Sequence, residues 1–168
     1  MYKRQVVAFV ILFQPELRRL LIYVGQTRFF SKIFKVGTSN TILSIVESSL
    51  NIKKKKWGGL IVIQRETGLR SYKDQGTELK ALVTSPLIIS IFNPSSPLHD
   101  GAIIIQNELI DSAACILPLT DSKMIDPEMG TRHRAALGIT EETDAIVILI
   151  SEEKSKISVA EDGRFVHV

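Results

Sequence analysis

"GAIIIQNELIDSAACIL", residues 101 to 117, carries the fold. Two apolar runs, "AIIIQ" and "LIDSAACIL", stand either side of "NE", a dipeptide suited to a hairpin turn. They predict two paired strands with Asp100 and Gly101 at one mouth of a sheet. Working outward, "WGGLIVIQ" (57–64) and "AIVILIS" (145–151) each predict a further buried strand, and "KISVAEDGRFVHV" (156–168) predicts a closing hairpin around Asp162 and Gly163.

Helical segments alternate with these strands. Ile42, Ile45, Val46 and Leu50 recur at helical spacing behind Ser39 or Asn40 as a cap, and the helix ends in "KKKK" at 53–56, where lysines complement the helix dipole. "RETGLRSYKDQG" (65–76) reads as a polar loop and "SPLIISIFNPSSP" (85–97) as a short apolar helix followed by a proline-punctuated turn. Pro127 and Glu128 open a helical run through "MGTRHRAALG", which Gly138 caps. The expected fold is therefore α/β, a mixed parallel and antiparallel central sheet flanked by helices in a single globular domain. The domain proper is expected over 41–168, behind an irregular linker at 25–40 and an apolar or amphipathic helix over 1–24.

Composition bounds the function. With 168 residues and 45% hydrophobic content the chain is long enough for one ordinary core. A net charge of +3, with acidic and basic residues interspersed, does not point to duplex nucleic acid. The lone Cys115, inside "AACILPL", excludes an internal disulfide and suits a small buried hydrophobe in a reducing compartment. No run reaches the eighteen or so apolar residues that span a bilayer. "VVAFVILF" (6–13), running into Arg18 and Arg19, reads equally as the tail of a transmembrane helix and as a buried N-terminal helix.

Three polar clusters stand beside apolar elements. In "LHDGA" a carboxylate precedes two residues too small to block a ligand, although Asp-Gly is also a common turn. In "GTRHRAALG" (130–138) two arginines flank His133 near a helix start, a pattern that fits polyphosphate or simply a solvated helix face. "ISEE" (150–153) ends a buried strand, where α/β folds commonly place sites, and fits a ribose hydroxyl, a divalent metal or a plain polar turn.

Taken together, "FNPSSPLHDGAIII", "GTRHRAALGITEETDAIVILISEE" and "ISVAEDG" resemble the diadenylate cyclase domain, whose marks are an Asp-Gly-Ala and an Arg-His-Arg motif about thirty residues apart. "FQPELRR" (13–19) resembles the segment that leaves the last transmembrane helix in the membrane-bound branch of that family. The resemblance implies condensation of two ATP into cyclic di-AMP and two pyrophosphates across a face-to-face homodimer, with Mg²⁺ or Mn²⁺. It implies that Asp100, Gly101 and Ala102 serve the attacking hydroxyl and that Thr131, Arg132, His133, Arg134 and Ser151 hold phosphates. His99 and Glu153 would meet the metal, while Leu117 and Ile116 would meet adenine. Several members of the family have an aromatic residue where this chain has Ile116, which implies different adenine stacking. The resemblance further implies a place at the cytoplasmic face of the membrane and two protein partners, a YbbR-domain regulator and phosphoglucosamine mutase. Two competing readings are a nucleotide-binding regulatory module without chemistry, which intact Asp100, Arg132 and Glu153 disfavour, and a phosphohydrolase. The hydrolase would need further metal ligands, and the only other histidines are His133 and His167.

Overall fold

The computed structural model of the chain describes residues 29–121 and 130–166, with side chains from residue 40 onward. It divides into two compact units, Met1–Thr38 and Ser39–Val168, and the second holds the entire sheet. The readings of residues 1–24, Pro127, Glu128 and His167 lie outside the described residues. Among the described residues no helix is long and apolar enough to cross a membrane.

In chain order the elements are α1 (Phe29–Lys54), β1 (Gly59–Ile63), α2 (Arg70–Lys73), β2 (Thr77–Leu82), α3 (Ser85–Ile91), β3 (Ala102–Gln106), β4 (Leu109–Cys115), α4 (Thr131–Glu142), β5 (Ile146–Ile150), β6 (Ile157–Glu161) and β7 (Arg164–Val166). The seven strands form one sheet in the order β2-β4-β3-β1-β5-β6-β7. β1 and β3 are parallel, whereas the other neighbours are antiparallel, so the sheet is mixed as expected. Alternation along the central strands feeds two apolar layers. Leu60, Val62, Ala102, Ile104, Val147 and Leu149 pack with Ala136 and Ile139 of α4 on one face. Ile61, Ile103, Ile105 and Ile150 pack with Ile45 and Ile52 of α1 and Ile88 of α3 on the other. The β3–β4 turn forms at "NE" because Asn107 and Glu108 both take positive φ, 48° and 67°, the twist that a two-residue hairpin needs.

Several sequence expectations need correction. The reading of 25–40 as irregular linker fails from Phe29, where α1 already runs. Ser39 and Asn40 are therefore interior to that helix rather than its cap: no proline interrupts 29–54, and helix propagation outweighs the weak propensities of Ser, Thr and Gly. Within α1 the buried stripe is Ile45, Ser48, Ser49 and Ile52, while Ile42, Val46 and Leu50 are exposed. Gly138 does not cap α4, which continues to Glu142. A β-carbon on Gly138 would stand 2.2 Å from Pro118 O, so the missing side chain lets α4 approach the segment after β4. The loop at 65–76 contains α2, and sequence reading passed over the strand that follows it, β2, whose alternation of Leu79, Ala81 and Val83 is short and broken by Leu82. β2 pairs with β4 alone, stays largely exposed and kinks at Lys80 (φ 48°), as a sheet edge does.

Candidate active site

Strand direction gathers the polar clusters at one end of the sheet. β1 and β3 run together, with Ile61 beside Ile103, and each is antiparallel to its outer neighbour, with Gly59 paired to Ile150 and Ala102 to Cys115. The N-terminal ends of β1 and β3 therefore meet the C-terminal ends of β5 and β4. That brings Gly58, Asp100, Gly101, Ile116 and Ser151 to the same edge although they are scattered along the chain.

Two cavities open there. One, of about 470 Å³, is lined by Asp100, Gly101, Ala114, Ile116, Leu117 and Leu119, with Leu60 and Ala135 beneath. The other, of about 310 Å³, is lined by Gly130, His133, Ser151, Glu152 and Glu153. Thr131 and Arg132 line both, so one turn of helix forms their common wall. The first cavity has an apolar floor with one carboxylate at its rim, the second sets polar side chains around the end of β5 at Leu149 and Ile150, and the wall between them carries the Arg132 guanidinium. Such a pair accepts a flat apolar group joined to an anionic tail.

Local structure explains each side of the first cavity. Gly101 holds φ 120°, a conformation open to glycine, and a β-carbon there would lie 2.8 Å from the Ala114 carbonyl carbon. Ala114 itself takes φ 53°, and the β3–β4 register shifts beside it, between Ala102 and Ile104. This bulge turns the chain so that Leu117 is buried at 8% exposure while Ile116 stands 67% exposed at the mouth. Ala102, fully buried in the strand, supports the cavity from within the core.

The second cavity is built on the first turn of α4. Gly130 precedes the helix in extended conformation without a side-chain cap, which leaves the N-terminal end of a twelve-residue helix facing the cavity. Arg132 is partly exposed, and among the described residues its ion pair is with Glu152, its Nη1 lying 3.5 Å from Oε2. Ser151 is buried; its N–H donates to Lys156 O (2.9 Å) and its Oγ accepts from Lys154 N–H (3.2 Å), closing the turn that presents Glu152 and Glu153. The ring of His133 meets Phe165 edge-on at 6.0 Å. Burial, reinforced by Lys154 and opposed by Glu153, holds its pKa below the ordinary histidine value and so favours the neutral ring.

Besides the buried Ala102, two sequence-predicted residues stand apart from these linings. Arg134 turns toward the segment after β4: its Nη2 donates to Thr120 O (3.1 Å), its own carbonyl accepts from Thr120 N–H (3.1 Å), and Thr120 Oγ1 donates to Glu141 (2.7 Å). His99, next to Asp100, has Nδ1 2.6 Å from Ser96 O; an N–H donated there leaves Nε2 with its lone pair. Among the described residues no group of three or more His, Cys, Asp or Glu is placed to hold a metal. A structural zinc site is thus a poor fit, whereas a divalent cation that draws most of its ligands from phosphate and water fits one imidazole and one carboxylate. Sequence reading offered Glu152 with Ser151 and Glu153 but missed Gly58, which only the approach of α4 to the start of β1 brings to the site.

A larger cavity, about 790 Å³, lies by α2 and β2. Its charges are satisfied internally by Lys73 with Asp111, Arg70 with Asp74 and Lys80 with Glu78, so no free cation awaits a ligand among these pairs.

Comparison with known proteins places the chain in a family. Residues 46–165 match the family described as DisA bacterial checkpoint controller nucleotide-binding. The chain is 46% identical over 159 residues to the cyclic di-AMP synthase CdaA of Bacillus subtilis, which covers 93% of this chain and 58% of that protein. It is 47% identical over 160 residues to a diadenylate cyclase of Listeria monocytogenes, again covering 93% and 58%. The crystal structure of a DacA double mutant from Staphylococcus aureus superposes with a TM-score of 0.75 at 43% identity, covering 77% of this chain and 86% of that one. A hypothetical membrane spanning protein from Bacillus cereus gives 0.73 at 37%, covering 95% and 80%. The chain thus spans 58% of the length of these curated relatives.

Proposed function

The chain belongs to the diadenylate cyclase family, and from that premise we propose that it condenses two ATP into cyclic di-AMP with release of two pyrophosphates. The observation that carries this reading is the common wall of Thr131 and Arg132 between an apolar cavity edged by Asp100 and a polar cavity edged by Ser151 and Glu153. Adenine fits the first, against Leu117 and Ile116, and the triphosphate fits the second.

In each half-reaction the 3′-oxygen of one ATP forms a bond to the α-phosphorus of the other, the bond from that phosphorus to the bridging oxygen of the β-phosphate breaks, and pyrophosphate leaves. Asp100, exposed at the cavity rim, accepts or orients the proton of the attacking hydroxyl. Gly101 and Ala102 let the ribose approach the main chain. The guanidinium of Arg132, the Thr131 hydroxyl and the N-terminal amides of α4 face charge that builds on phosphoryl oxygens, where preorganised donors are most effective. His133, neutral by burial, and Ser151 offer hydrogen bonds without adding charge. Arg134 takes a supporting role, holding Thr120 and with it the segment that carries Leu117. His99 and Glu153 are the groups suited to meet Mg²⁺ or Mn²⁺; when bound, such an ion neutralises the phosphate oxygens and eases departure of pyrophosphate.

One chain offers one nucleotide site, and cyclisation needs two nucleotides face to face, so the active species is a two-fold homodimer. A position at the cytoplasmic face of the membrane, and pairing with a YbbR-domain regulator and phosphoglucosamine mutase, belong to this proposal through the family resemblance.

The test is to incubate the purified chain with ATP and Mn²⁺ or Mg²⁺ over a range of protein concentrations and identify products by chromatography and mass. Cyclic di-AMP, formed at a rate per molecule that rises with concentration, supports both the reaction and the dimer. ATP bound but unchanged under every condition favours a nucleotide-binding module.

A further inference from the structure

Gly58, buried just before β1, stands where no side chain fits alongside Arg132. A β-carbon there would lie 2.3 Å from Arg132 Nη1 and 2.8 Å from its Cζ. The other tightly packed glycines differ. Gly101 and Gly138 would press a β-carbon onto main-chain atoms, Gly76 onto Ala113 O and the buried Cys115 Sγ, and Gly163 onto the stem of Glu141. Among the described glycines, Gly58 alone would bring a β-carbon within 3.0 Å of a charged side chain of the two cavities. Its φ lies outside the left-handed region, so alanine adopts the same backbone without strain. The atoms it would displace are the free end of a long, flexible chain. A methyl group at Gly58 should therefore cost little stability and instead move the guanidinium.

Among the described residues the ion-pair partner of that guanidinium is Glu152, at 3.5 Å and with its side chain 62% exposed. A pair that long and that solvated is a weak tether. The berth at Gly58, more than the ion pair, sets where the planar fork lies, and fork direction matters because guanidinium binds phosphate through paired, directional N–H donors.

We propose that Gly58 is a positioning residue for substrate phosphate: by lacking a side chain it seats the Arg132 guanidinium in the wall between the two cavities. This rests on the reading of Arg132 as a phosphate-binding group, and the experiment separates the two. Gly58→Ala, Arg132→Ala and the double variant are compared for ATP binding, adenosine binding and thermal midpoint. In Gly58→Ala the ATP Kd is expected to rise about tenfold or more, the scale of a disturbed hydrogen bond to a charged group. Its adenosine Kd and thermal midpoint should stay at the wild-type values, and the ATP loss should vanish when Arg132 is already alanine. Wild-type ATP affinity in Gly58→Ala overturns the proposal, as does a parallel loss of adenosine affinity or an undiminished Gly58→Ala effect on the Arg132→Ala background. If Arg132→Ala itself binds ATP like the wild type, the phosphate reading of Arg132 falls, and the proposal with it. If Gly58→Ala does not fold, folding restored in the double variant supports the berth, and failure of both overturns it.

Discussion

Gly101 lies against Ala114 so closely that a β-carbon on the glycine would stand 2.8 Å from the alanine carbonyl carbon, and both residues hold positive φ, 120° and 53°. The strand entrance and the bulge opposite are thus one packed unit. Gly101→Ala should lower stability by about 1–3 kcal/mol, the cost of a residue forced into a sparsely populated backbone region. Urea unfolding checks this: the midpoint should fall at unchanged slope.

Asp100 edges the apolar cavity without contributing to the core. Asp100→Asn keeps its size and removes the charge, so product formation from ATP should be abolished while the ATP dissociation constant stays near the wild-type value. Undiminished turnover would remove this carboxylate from the mechanism.

Arg132 and Arg134, two residues apart, point to different tasks. Arg132→Ala should weaken ATP about tenfold or more and leave adenosine unchanged, since it removes a charged partner of phosphate alone. Arg134→Ala removes the donor to Thr120 O and should loosen the segment behind Leu117. ATP and adenosine should then weaken by similar factors. Calorimetric titration with both ligands distinguishes the two patterns.

Ile116 is 67% exposed at the mouth of the cavity assigned to adenine. Replacing it with phenylalanine offers a ring for stacking, and ATP and adenosine should each bind about two- to tenfold more tightly. Unchanged affinity would place adenine elsewhere.

The Thr67 hydroxyl, with N–H donors from Thr67 (2.9 Å) and Glu66 (3.0 Å), holds the Asp144 carboxyl down to about 2. A folded-state pKa below the unfolded one means that the carboxylate contributes stability above the ordinary carboxylate range, and that this is lost as pH falls toward about 2. Asp144→Asn should therefore be less stable than wild type at neutral pH, with the gap closing on acidification. Thermal melts across that interval check the sign.

Much of this molecule was legible in single segments. β1, β3 and β5 declare themselves through apolar runs, because a strand buried on both faces must be largely apolar, while β4 and the β6–β7 hairpin are marked by the turn residues at Asn107–Glu108 and Asp162–Gly163. β2 escaped because an edge strand meets water, and the charged side chains that protect it from mispairing also hide it. α1 was misjudged for a related reason. It carries two stripes, and local spacing does not tell the buried one, through Ile45 and Ile52, from the exposed one through Ile42, Val46 and Leu50.

The candidate site divides in the same way. Asp100, Gly101, Thr131, Arg132 and Glu153 stood out in sequence because chemistry needs those residue types in short motifs. That Arg132 faces both cavities while Arg134 braces Thr120 depends on helix rotation against the sheet. That Gly58 belongs with them depends on a crossing between segments seventy-four residues apart. Residue type and local spacing determined which groups this protein possesses. Strand order, direction and packing decided which of them meet, because long-range contact is a property of the assembled sheet and is encoded in no single stretch of the chain.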